Sequence, residues 1–112
     1  MRLLRMLFRA ATTDHRLADL AREVAVRSHG RVWSLVQTRA VSMRLSEARG
    51  YVRARALGII STEVDQMLRR EAAVELALRD QLVEDGLRRV VTLVMRDLLH
   101  VPPRYQSLRR AA

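Results

Sequence analysis

Glu71 and Glu75 stand one helical turn apart among Val64, Leu68, Leu78 and Leu82, the spacing that sets two carboxylates side by side on one face. Such a pair suits general acid/base work or a divalent cation, and helical bundles build metal sites in this way when other helices add Glu-x-x-His. No Glu-x-x-His occurs in the chain, and His15, His29 and His100 are scattered without ligand spacing. The chain has no cysteine, which excludes thiolate ligands and disulfides. It also lacks a glycine-rich phosphate loop, a nucleophile elbow and a dinucleotide fingerprint. No catalytic residue, metal or cofactor is therefore expected, and the chain is expected to act without catalysis.

The two glutamates have a second use. Arg39 falls within the apolar stripe of the first half of the chain, and Arg55 falls between Tyr51, Val52 and Ile59. An unpaired charge buried at such a position costs on the order of several kcal/mol. Buried ion pairs are therefore expected between Arg39 or Arg55 and Glu71 or Glu75, across the core or across a seam between two copies.

Arginine supplies all 21 basic residues against 12 acidic ones, for a formal net charge of +9. Arginine without lysine is the codon signature of a GC-rich genome, so the choice of residue carries little information. The imbalance carries more. Residues 1–55 hold twelve arginines against Asp14, Asp19, Glu23 and Glu47, while the remainder is nearly balanced. A body charged in this way attracts polyanions with salt-sensitive affinity. Arg44, Arg49 and Arg53, with Arg69 farther on, form the expected anion-binding patch; the competing reading is a solvated face with no ligand.

Ala54, Gly58, Ile59, Val64 and Met67 have the spacing of a helix-turn-helix, which would turn Ser61, Thr62, Asp65, Gln66 and Arg69 toward a DNA groove. Glu63 and Asp65 oppose that use, because they place negative charge where phosphates would lie. Ala48-Arg49-Gly50, Gly58 and Leu68-Arg69-Arg70-Glu71-Ala72 resemble in part the ANTAR family of small RNA-binding helical domains, which would imply binding to hairpin RNA. The likeness covers 25 residues, with one residue too many between the glycines and no continuation past Ala72. It does not assign the chain to that family.

The elements that must position these residues are helices. Spacings of three and four recur throughout and no segment alternates like a strand. With the apolar stripe placed at about 100° per residue, it holds phase from Leu17 through Val24, Ser28, Val32, Leu35, Val36 and Met43, which favours one helix; the alternative is a first helix that ends at His29-Gly30. Phase jumps near Ser46, near Ser61 and near Gly86 then predict an all-α compact bundle of four helices, at 14–44, 46–58, 62–84 and 86–100. Thr12 or Thr13, Ser46, and Ser61 or Thr62 are the expected N-caps. One domain is expected over 13–101, followed by a basic tail over 102–112 that begins at Pro102-Pro103.

Residues 1–12 form an amphipathic basic extension, with Leu3, Leu4, Met6, Leu7 and Phe8 on one side and Arg2, Arg5 and Arg9 on the other. Met1–Ala11 is a candidate membrane-surface anchor, although a short helix folded onto the bundle is favoured. Off-stripe apolar residues, namely Val26, Trp33, Ala73, Val74, Leu76 and Ala77, point to a second buried surface, and self-association is expected. With no spanning segment and no secretory signal, the expected compartment is the cytoplasm. The expected function is nucleic-acid-associated or regulatory binding through the arginine patch. The alternatives are a protein-interaction or scaffold module whose charge is genomic bias, and membrane-surface association.

Overall fold

Valine and alanine recur every four residues along α1 (Arg2–Ala40), and that spacing sets the architecture. Val24, Ser28, Val32, Val36 and Ala40 are all fully buried. The same interval returns on α2 (Leu45–Arg70) as Ala48, Val52, Ala56, Ile60 and Val64. On α3 (Arg79–Leu99) it appears twice, as Leu82, Gly86, Val90, Val94 and Leu98 and as Val83, Leu87, Val91 and Met95. Residues four apart form the ridges that interdigitate in the commonest class of helix packing, and small or β-branched side chains keep those ridges low. A computed structural model describes the backbone of residues 2–70 and 76–101 and, within these, side chains from His15 onward.

The described chain is an up-down-up three-helix bundle in which each helix touches the other two. α2 turns back on α1 across residues 41–44. That turn is closed by backbone hydrogen bonds from Val41 to Gln37, from Ser42 to Arg39 and from Met43 to Ala40, and the Ser42 hydroxyl donates to the Arg39 carbonyl at 2.9 Å. α3 lies along α1 in the same direction and is preceded by a single 3₁₀ turn, Leu76–Leu78. At 1.5 Å per residue α1 is about 58 Å long and α2 about 39 Å, so about fifteen N-terminal residues of α1 run past the end of α2. The molecule measures 63 × 25 × 18 Å. Among the described residues, no helix is long and apolar enough to cross a membrane.

Four of the expected boundaries are corrected. α1 begins at Arg2 and passes through Thr12 and Thr13 without a cap, and it ends at Ala40 rather than 44; it does continue through Gly30 as expected. α2 runs unbroken through Gly58, Ser61 and Thr62, where Thr62 Oγ1 donates to the Gly58 carbonyl at 3.0 Å instead of capping a new helix. α3 passes straight through Gly86, and the change of direction comes earlier, between Arg70 and Arg79. Ser46 lies inside the first turn of α2, whose first carbonyl acceptor is Arg44, at 2.8 Å from the Ala48 amide. The breaks expected near Ser61 and Gly86 share one cause. A row spaced by four advances about 40° with each step, so the buried strip winds around the helix. Winding was mistaken for breakage.

Gly86 has a packing role instead. A β-carbon there would stand 3.2 Å from Val24 Cγ1 and 3.6 Å from Ile60 Cγ2, so this is the point where all three helices crowd together. Gly58 is its opposite, exposed in mid-helix with nothing within 4 Å. Leu76 and Ala77 are exposed at the 3₁₀ turn rather than buried on a central helix, Trp33 packs partly into the core, and Val26 is 63% exposed. Ala73, Val74 and the tail 102–112 lie outside the described residues, as do the side chains of 1–14.

Ion pairs fasten the helices at their edges. Arg79 closes the α2–α3 corner with two hydrogen bonds to Asp65, Nε to Oδ1 at 2.6 Å and Nη2 to Oδ2 at 3.2 Å. The hydrogen bonds from that guanidinium hold the Asp65 carboxyl below its ordinary range, against a smaller opposing effect of desolvation. His29 donates from Nε2 to Asp97 Oδ2 at 2.5 Å, tying α1 to α3.

Two outcomes test this packing. Gly58→Ala should stabilise the protein by about 1 kcal/mol in urea unfolding, because it removes a helix-interior glycine without a clash, whereas a turn at that position would reverse the sign. Gly86→Val should cost about 1–3 kcal/mol through overpacking against Val24. A third outcome concerns acid. A carboxyl with a depressed folded pKa contributes stability above its unfolded value of about 3.9 and loses it as the pH falls through the folded value. The stability difference between wild type and Asp65→Asn should therefore shrink on going below about pH 4, and the Asp65 side-chain carbon should titrate below that value by NMR.

Candidate functional site

Glu63 is the one acidic side chain buried among the described residues, at 5% exposure. It lies three residues after Ile60 and four before Met67, both core residues, so an unbroken α2 must turn it inward. Three guanidiniums meet it there. Arg31 donates from Nη2 to Glu63 Oε2 at 3.0 Å, Arg27 Nη1 stands 3.8 Å from Oε1, and Arg70 Nη2 stands 3.9 Å from the same oxygen. Arg27 also pairs with Glu23 at 3.0 Å. All three arginines keep about half of their side-chain surface in water, so a single buried carboxylate holds a ring of partly solvated cations.

The row that carries these groups continues along the α1–α2 edge. Arg27, Arg31, Leu35 and Arg39 follow one another at intervals of four, each one residue before the buried row of α1. Across the seam, Glu47, Tyr51, Arg55, Ile59 and Glu63 do the same on α2. The contacts from Arg27 and Arg31 to Glu63 show that these two rows face each other, and the helices are antiparallel. Arg39 and Arg55 therefore share the edge nearer the 41–44 turn.

Arg39 and Arg55 are exposed in the single chain rather than buried in its core, and neither pairs with a carboxylate among the described residues. The winding strip again explains it, because each sits 100° behind the buried row rather than on it. Glu71 and Glu75 lie outside the described residues.

The expected patch is dispersed. Arg49 and Arg53 are exposed, one turn apart, on the opposite edge of α2, where Arg53 Nη2 donates to Glu84 Oε1 and Oε2 at 2.8 and 2.9 Å. Arg69 is about 24 Å farther along the helix than Arg53 and stands near Asp65. Arg44 lies apart from both, at the turn. The cluster at Glu63 was missed because a helix end placed near Ser61 turned Glu63 outward in the sequence reading. The spacing from Ile60 to Met67 would have revealed it.

Charge is distributed unevenly over the three helices. α1 carries eight arginines against Asp14, Asp19 and Glu23, and α2 carries five against Glu47, Glu63 and Asp65. α3 balances Arg79, Arg88, Arg89 and Arg96 with Asp80, Glu84, Asp85 and Asp97. The positive field therefore belongs to the α1–α2 side. Among the described residues no group of three His, Asp or Glu is arranged to hold a metal. The His29–Asp97 pair has Ser28 next to it in sequence, but the Ser28 hydroxyl is fully buried in the core row and bonds to neither.

Arg31→Ala should cost about 2 kcal/mol in chemical denaturation, since it takes the closest donor from a buried carboxylate. The exposed Arg53→Ala should cost less than about 1 kcal/mol. In a Glu63→Met background the Arg31 change should become nearly silent; an undiminished cost there would separate the two residues energetically.

Compared with protein-family models, curated proteins and solved structures, the chain matches none, so its function has to be argued from the chemistry of this face.

Proposed function

We propose that the protein is a non-catalytic binder of nucleic-acid phosphate backbone and that it uses the α1–α2 edge, not the Arg44–Arg49–Arg53–Arg69 set, as its contact surface. The observation that carries this reading is the alignment of Arg27, Arg31 and Arg39 on α1 with Arg55 and Arg70 on α2, beside a charge-balanced α3. Guanidiniums offer several donors in a fixed plane and suit phosphate oxygens. Glu63 takes up part of the donor capacity of three of them and in return fixes where they stand. Arg39 and Arg55, exposed and with no carboxylate partner among the described residues, have all their donors available. Glu23 and Glu47 reduce the positive excess along this edge without cancelling it.

Contacts of this kind are made to the backbone and carry little base information, so the binding is sequence-tolerant. The described side chains also offer no row of exposed aromatics on which bases could stack: Trp33 and Tyr51 are half-buried against the core.

The test is binding of a fluorescent DNA or RNA duplex across a salt series. Affinity should fall steeply with salt, and Arg39→Gln and Arg55→Gln should each weaken binding to all sequences alike and reduce the slope of log K against log[salt] by about 1. Arg96→Gln, on the balanced helix, should leave the slope unchanged. Binding that is insensitive to salt, or slopes that change equally for all three variants, would overturn the proposal.

A further inference from the structure

A second surface lies on the α1–α3 seam and has a different chemistry. It is an open groove of about 530 Å³ with a floor of Ala25, Val26 and Leu93 and a rim of Arg22, Arg88 and Arg89. Val26 is 63% exposed, and the i+4 step that follows it on α1 is Gly30, which leaves open space. This volume is in the range that receives a few side chains, and a cleft between two helices is a common seat for a third.

The rim decides what can occupy it. Asp85 serves two arginines at once, bonding Arg88 Nη2 and standing 3.5 Å from Arg89 Nε, and that Nε–H is buried without a hydrogen-bond partner. Arg22 has Asp19 at 3.2 Å, with both side chains largely in water. Three guanidiniums thus face two carboxylates, which leaves one positive charge in excess at the rim.

We infer that this groove receives an acidic amphipathic helix from a different protein, with apolar side chains set on Val26 and Leu93 and carboxylates set toward Arg22, Arg88 and Arg89. A second copy of the chain is opposed by charge. A two-fold contact through this groove would set the same three arginines against each other, on bodies that each carry +9. The chain's own segment 102–112 is opposed for the same reason, since it contains Arg104, Arg109 and Arg110 and no acidic side chain. Nucleic acid has no use for the apolar floor. This surface is separate from the α1–α2 edge, so each can fail without the other.

The experiment uses the full chain, labelled with ¹⁵N, and two blocked 15-residue peptides. One is built of Leu, Ala and Glu with leucines at helical spacing; the other has Lys in place of every Glu. The acidic peptide should bind saturably, with amide shifts concentrated at 22–26 and 88–93, and the Lys peptide should not bind. Val26→Glu, at an exposed position that the fold tolerates, should weaken the acidic peptide at least tenfold, while Arg55→Gln should leave it unchanged. A thermal melt of Val26→Glu matching wild type confirms that the loss is local; a lowered melt moves the comparison to Thr92→Glu on the exposed face of α3, with the same expected loss. Shifts mapping to the α1–α2 edge, equal binding of the two peptides, no binding at millimolar peptide, or undiminished affinity in the groove variants would each overturn the inference. So would a dimer in sedimentation that Val26→Glu dissociates.

Discussion

Packing of Val24 and Ile60 side chains against the bare backbone of Gly86 is the constraint on which the rest of the structure depends. A β-carbon at that position would press on Val24, with Ile60 on its other side, so the three helices meet where one of them has no side chain. On either side of that point, rows of Val and Ala spaced by four supply low ridges and allow contact to continue along α1, α2 and α3. The core that results is built from many small residues: among those with almost no exposure, Val outnumbers all other types, and no aromatic is included. Dispersion contacts among tightly spaced small side chains replace the bulk that Phe or Trp would bring. Among the described side chains the aromatics are Trp33 and Tyr51, and both sit at the margin of this core.

The same winding rows place the charges. A residue one position before a buried row stands at the edge of a helix interface, which is where Arg27 and Arg31 meet Glu63. Burial of Glu63 is tolerable because several guanidiniums approach it while each keeps contact with water, so the carboxylate is compensated and no cation is stranded. On the other edges, Arg53 with Glu84, Arg79 with Asp65 and His29 with Asp97 fix α2 and α1 to α3. α3 lends Glu84 to α2 and Asp97 to α1, pairs Asp80 and Asp85 with its own arginines, and carries as many acids as arginines, which leaves the excess of arginine on α1 and α2. The two proposed surfaces follow from that division: a cationic edge between α1 and α2, and an apolar groove with a guanidinium rim between α1 and α3.

Fold class was legible in the sequence, and so was the continuity of the first helix across Gly30, because recurring spacings of three and four exclude strands. The number of helices was not. A steady stripe at 100° per residue is a good template only when buried residues average 3.6 apart; with rows at four, a rotation of about 40° per step accumulates until it resembles a break at Ser61 and Gly86. Glycine added to the error. Gly58 and Gly86 read as turns, yet one is an exposed helix position and the other a packing point. A stripe drawn through Tyr51, Val52 and Ile59 put Arg55 on the apolar face, whereas the buried row runs through Val52, Ala56 and Ile60 and it is Glu63 that is buried. Arg49 and Arg53 share an exposed face, as the one-turn spacing implies, and α3 supplies that face with Glu84, which pairs with Arg53.

The most direct measurement is of nuclear Overhauser contacts from the two α protons of Gly86. Strong cross-peaks to methyl groups of both Val24 and Ile60, in a protein whose Cα shifts stay helical from Leu82 to Val90, are the result expected if three continuous helices converge there. Absence of either cross-peak, or non-helical shifts at Gly86, would contradict the account, because the rows could not then meet and the edges that carry the charges would not be where they are described.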